Sequence, residues 1–76
     1  MNKELEKLLK INSEIDIKIQ RIENAIASKN INFLTGSERF LMTENKLDVG
    51  LAQLELELLY STKKIYVDKI KELRCK

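Results

Sequence analysis

Few side chains in this sequence could do chemistry. It has no histidine, one cysteine (Cys75), two tyrosines (Tyr60 and Tyr66), 14 Lys and Arg, and 12 Asp and Glu. A lone cysteine cannot close an internal disulfide, and His/Cys zinc clusters cannot be built without histidine. Cys75 has no activating neighbour beyond Arg74 and Lys76. No nucleophile is paired with a base, and no glycine-rich loop is available to cradle a phosphate. The sequence therefore predicts no enzyme, no catalytic residue, no metal and no cofactor.

Two basic groupings could still hold an anion. Arg39, Asn45 and Lys46 lie near an expected turn and could coordinate a small anionic ligand between protomers, or simply be solvated. Lys63, Lys64, Lys69, Lys71, Arg74 and Lys76 make a basic C-terminal end, interrupted by Asp68 and Glu72. Such an end can contact phosphates, or offset a helix dipole and aid solubility. Tyr60 and Tyr66 fall on different helical faces and form no stacking platform. With a net charge of only +2, nucleic acid is not the expected partner.

The elements that position these groups are helical. There is no proline, and only two glycines. The most apolar stretch is Leu47–Leu59, in which Leu47, Leu51, Leu54 and Leu58 recur at intervals of four and three. That is the seam of a packed helix. Lys46, Gln53, Glu57, Ser61, Lys64, Asp68 and Lys71 make one narrow polar stripe. Val49, Leu56, Leu59, Tyr60, Tyr66, Val67, Ile70 and Leu73 spread apolar surface well beyond the seam. An arc this broad predicts burial against more than one neighbour. The expected contact surface between protomers is Leu47, Gly50, Leu51, Leu54, Leu56, Leu58, Leu59, Tyr66 and Ile70. Gly50 reads as a kink or a close helix packing point; a break there, giving three helices, is the alternative.

A first helix is expected over about residues 2–29. Leu5, Leu8, Asn12, Ile15, Ile19, Ile22 and Ile26 alternate by threes and fours, with Asn12 the one polar member. Asn12 either fixes register from within the seam or meets water at a frayed point. Asn30 or Asn32 suits a left-handed C-cap. Thr35 with Glu38 fits a capping box that opens a second helix over about residues 37–73, with Ser37 an alternative cap. At ~1.5 Å per residue the helices would be about 40 and 55 Å long. The second would overhang the first, leaving Ile65, Tyr66, Val67, Ile70 and Leu73 in need of another chain, or of a bend that folds them back.

The expected fold is a single all-α domain over residues 1–76, an antiparallel helical hairpin assembling into a homo-oligomeric bundle. A domain this short gains modest stability alone, and oligomerisation is the remedy left open. No run of ~18 apolar residues suggests a membrane span. The charged N-terminus lacks a signal-peptide core, which predicts a cytoplasmic protein. Abundant Lys, Asn, Ile and Glu suggest an AT-rich bacterial or phage genome.

Met42, Leu47, Gly50, Leu51 and Leu54 follow a spacing of apolar residues around one glycine that resembles the small all-helical phage anti-CBASS cyclic-oligonucleotide sponges. The resemblance covers roughly residues 9–54. Arg39-Phe40 stands loosely where that family has an aromatic-basic pair, and the second helix runs about twenty residues further than the family pattern. The resemblance implies an oligomer that sequesters a signalling nucleotide at protomer interfaces without cleaving it. Three functions thus follow as expectations: a protein-binding adaptor, inhibitor or assembly module; a nucleotide sponge; and, behind both, nucleic-acid binding through the basic end.

Overall fold

A computed structural model describes residues 3–75 and is 84% helical. Its frame is two helices of 26 residues each, α1 (Lys3–Ser28) and α2 (Val49–Arg74). They form a rod-like hairpin of 49 × 18 × 18 Å. Cross-links between them fix the direction. Tyr60 of α2 donates to Glu23 of α1 at 2.6 Å, and three residues later Lys63 pairs with Asp16, seven residues earlier. The helices are therefore antiparallel.

The α1 seam read from the sequence faces inward. Ile15, Ile19 and Ile22 are buried, and Leu5, Leu8, Asn12 and Ile26 are half-buried around them. The expected helix start at Asn2 lies outside the described residues. At the other end Lys29, rather than Asn30 or Asn32, takes the left-handed conformation (φ 55°). Asn30 instead opens a 3₁₀ turn over Ile31–Phe33, its side chain accepting from the Asn32 backbone at 2.9 Å. The amide oxygen of Asn12 is buried with no hydrogen-bond partner. Asn12 is thus part of the packed seam, not a frayed point.

The second helix is not continuous over residues 37–73. Thr35 and Glu38 do form the expected capping box, but what they cap is a 3₁₀ segment, Gly36–Leu41. Two short antiparallel strands follow, β1 (Met42–Thr43) and β2 (Lys46–Leu47), pairing Met42 with Leu47 and Thr43 with Lys46. Between them Glu44 (φ 52°) and Asn45 (φ 64°) both sit in the left-handed region. That is the mirror-image turn that matches strand twist. The chain re-enters helix at Asp48, whose carboxylate accepts from the Leu51 backbone N–H at 3.1 Å. An Asp cap of this kind is worth about 1 kcal/mol.

This connection changes the lengths. With α1 and α2 equal, α2 does not overhang: Ile70 is buried within the chain, and Tyr66, Val67 and Leu73 are half-buried. Gly50 falls in the exposed first turn of α2 and is neither a kink nor a close approach within the chain. A Cβ added there would meet only the Asp48 carboxylate, at 3.6 Å. The main apolar cluster unites Ile22 and Ala25 of α1, Leu34 and Leu41 of the connection, and Ala52 of α2. Ile26, Met42, Leu47, Leu56 and Leu59 pack around it.

Candidate functional site

α2 carries two apolar stripes of the same period, and they face different ways. The inner stripe is Ala52, Leu56, Leu59, Lys63, Tyr66, Ile70 and Leu73, every member buried or half-buried. Its one charge, Lys63, pairs with Asp16. The outer stripe runs Leu51, Leu54, Leu58, Ser61, Ile65. Its apolar members are 36%, 63%, 65% and 69% exposed in that order. At 3.6 residues per turn the two stripes lie roughly 130° apart around the helix.

The nine residues expected to form the contact surface therefore divide. Leu47, Leu56 and Leu59 pack on the chain's own core, Ile70 is buried, and Tyr66 is half-buried. Leu51, Leu54 and Leu58 stand outward, with Gly50 exposed beside them. Ile65, which the sequence had marked as part of an overhang, extends the outward stripe by two turns. Its signal was legible: it lies seven residues from Leu58.

A clasp ties the connection to α1 beside the buried cluster that Ala52 of the inner stripe joins. Glu38 is 2% exposed. Arg21 donates to its carboxylate through Nε at 2.6 Å and through Nη2 at 3.3 Å. The Thr35 hydroxyl at 2.7 Å, the Thr35 backbone N–H at 3.3 Å and the Ser37 hydroxyl complete the shell. Burial pushes the Glu38 carboxyl up, but these hydrogen bonds outweigh it and hold the pKa at about 2 rather than 4.5. Two-pronged pairing of this kind fixes geometry as well as charge. Sequence reading found the Thr35–Glu38 half of this arrangement and missed Arg21. No local pattern links residues 17 apart.

The ligand candidates also divide. Asn45 and Lys46 line a cleft of about 560 Å³ at the turn end, together with Ile26, Lys29, Asn30, Ile31, Leu47 and Val49. Arg39 is exposed on the Gly36–Leu41 segment and does not line it. The cleft thus has an apolar floor, two lysines and two amides. Lys29 and Asn30 were not among the ligand candidates read from the sequence, where Asn30 stood only as a possible cap, because the left-handed Lys29 that brings them there has no sequence signature.

Elsewhere the chemistry is sparse. Tyr60 is exposed, and its bond to Glu23 holds the hydroxyl above its usual pKa. Cys75 is an exposed free thiol. Among the described residues no group of His, Cys, Asp or Glu is placed to hold a metal ion, and no helix is long and apolar enough to cross a membrane. Comparison with protein-family models, curated proteins and solved structures finds no significant match to this chain.

Proposed function

We propose that this protein is a small non-catalytic binding module that docks other protein chains through the outward face of α2, acting as an adaptor, inhibitor or assembly factor. One observation carries the reading: Leu51, Leu54, Leu58 and Ile65, with Ser61 between the last two, form one stripe left exposed by the hairpin's own packing. Isolated exposed apolar residues are ordinary, whereas contiguous exposed apolar stripes mark interaction surfaces. The stripe has coiled-coil spacing, so a helix is the partner shape it fits.

Site-directed alkylation tests this. Ser61 lies in the stripe and is exposed. A Ser61→Cys, Cys75→Ser protein should react with maleimide several-fold more slowly when concentrated or mixed with cell lysate than when dilute. Adding Leu54→Lys and Leu58→Lys should abolish that protection. Equal reactivity under all conditions overturns the reading.

A second reading rests on the turn-end cleft. Lys29, Lys46 and Asn45 around an apolar floor suit an anionic ligand with a flat hydrophobic part, such as a nucleotide. Sequestration of a cyclic nucleotide, the activity implied by the resemblance to the sponge family, would fit there. A thermal-shift panel of cyclic nucleotides checks it: ligand at a hundred times its Kd stabilises by about 2.7 kcal/mol. An unshifted melting curve across the panel would remove this reading.

A further inference from the structure

Building on the docking surface just proposed, we infer that its occupant is a second copy of this chain, with the two α2 helices antiparallel and Glu57 of each copy opposite Lys64 of the other. Extended past Ile65, the outer stripe continues through Asp68 and Glu72, so the seam alternates by threes and fours from Leu51 to Glu72. The residues bordering a seam choose partner and direction. One border carries Glu57, Lys64 and Lys71; the other carries Glu55, Thr62 and Lys69. Acid lies on the N-terminal half and base on the C-terminal half along both borders. Glu57, Lys64 and Lys69 are exposed and take no ion pair within the hairpin among the described residues.

A parallel pairing sets like against like. It stacks Asp68 on the partner's Asp68 and places Lys64 beside the partner's Lys69. An antiparallel pairing lays each acidic half along a basic half and opposes the helix dipoles favourably.

The borders also select the register. With Leu54 on the partner's Ile65 and Leu58 on the partner's Ser61, Glu57 meets the partner's Lys64 twice by symmetry. Asp48 comes beside the partner's Lys69 in the same alignment. Sliding one heptad toward the helix N-termini sets Glu57 against Glu57 and Glu55 against Glu55. Sliding one heptad the other way brings Glu57 to Lys71 and Glu55 to Lys69, but sets Lys64 against Lys64 at the centre and puts Asp68 on Leu58 and Glu72 on Leu54, so the leucines lose their apolar partners. The middle register joins opposite charges along both borders, keeps Leu54 on Ile65 and Leu58 on Ser61, and leaves Asp68 only at the ends of the seam, against Leu51. Because the two stripes of α2 lie roughly 130° apart, the four helices form a curved row, α1–α2–α2–α1, rather than a square bundle.

Charge exchange on the full-length chain tests the pairing. Light scattering of the wild type across micromolar to millimolar concentration should show twice the 8.9 kDa chain mass. Glu57→Lys and Lys64→Glu should each weaken the dimer by about tenfold or more, with helical circular dichroism retained. The double variant should dimerise like the wild type. An equimolar mixture of the two single variants should form a heterodimer, since each then supplies the charge the other lacks. A wild type that stays monomeric at millimolar concentration overturns the inference. So does a dimer indifferent to these exchanges. If the chain is monomeric while Ser61→Cys is still protected in lysate, the docking reading stands and only its occupant changes. If protection is also absent, both fall.

Discussion

The two stripes of α2 differ in fate far more than in composition. The inner one holds an alanine, a lysine and a tyrosine among its seven members; the outer one runs three leucines, Ser61 and Ile65 before it reaches Asp68 and Glu72. Over Leu51–Ile65, hydrophobicity alone would bury the outer stripe first; only Asp68 and Glu72 beyond it make the far end polar. The outer stripe stays exposed, because burial depends on fit to a particular neighbour. Ala52 and Ala25 are both fully buried in one cluster with Ile22, Leu34 and Leu41. Small residues there let the helices close around the connection. The Arg21–Glu38 clasp then holds that connection against α1. An apolar stripe left outside by such a fit is surface available to another chain.

The strongest way to break this comparison is to truncate one residue from each side. Ile22→Ala empties a fully buried site and should destabilise the hairpin by about 2–5 kcal/mol in urea unfolding. Leu58→Ala, on the outer stripe, should change the stability of dilute protein by less than about 0.5 kcal/mol. Equal losses in dilute solution would erase the distinction. A Leu58→Ala loss that grows with protein concentration would sharpen it, since a covered stripe must be coupled to association.

The clasp comes next. Glu38→Gln should cost roughly 2–3 kcal/mol, less than the ~3–5 of a fully buried pair because Arg21 keeps partial solvent access. The pH dependence follows from its lowered pKa. The folded value of about 2 lies below the unfolded 4.5, so the contribution is complete above about 4.5 and is lost as pH falls through about 2. Acid unfolding monitored by circular dichroism should show that loss in the wild type and a shallower slope over the same window in Glu38→Gln.

Two substitutions should stabilise. Asn12→Leu removes a buried amide oxygen with no partner and should raise stability by about 1–2 kcal/mol. If Asn12 fixes register, the cost would appear instead as broadened amide resonances or mixed species by light scattering. Smallest is Gly50→Ala. With room for a Cβ, helix propensity predicts a gain of up to about 1 kcal/mol in thermal melts. A loss of association in that variant would show that another backbone approaches there.

Much of this fold is legible without coordinates. The uninterrupted alternation from Leu5 to Ile26 specifies α1 and its buried face, because side-chain period is a local property. The heptad spacing of Leu51, Leu54 and Leu58 likewise specifies a helix with a seam. The Thr35–Glu38 capping box is correctly read, yet the helix it was expected to open stops at Leu41. Two left-handed residues, Glu44 and Asn45, make the turn that breaks it. Neither is glycine, so the usual hairpin signature is missing. Asp48 ahead of Val49 was the available sign that α2 starts there.

The sequence alone thus determined that there are two amphipathic helices, that they return on one another, and that the second carries more apolar surface than one neighbour can cover. Periodicity and composition are enough for those conclusions. Which stripe of α2 faces α1 was decided only in three dimensions. It depends on where Leu34, Leu41 and the Arg21–Glu38 pair place the start of α2, and on a rotation of the helix that no spacing of residues encodes. The same rotation exposes Leu54, Leu58 and Ile65, while the left-handed Lys29 brings itself and Asn30 to the cleft of Asn45 and Lys46. Contacts between residues far apart in the chain set that rotation, and a local pattern carries no record of them.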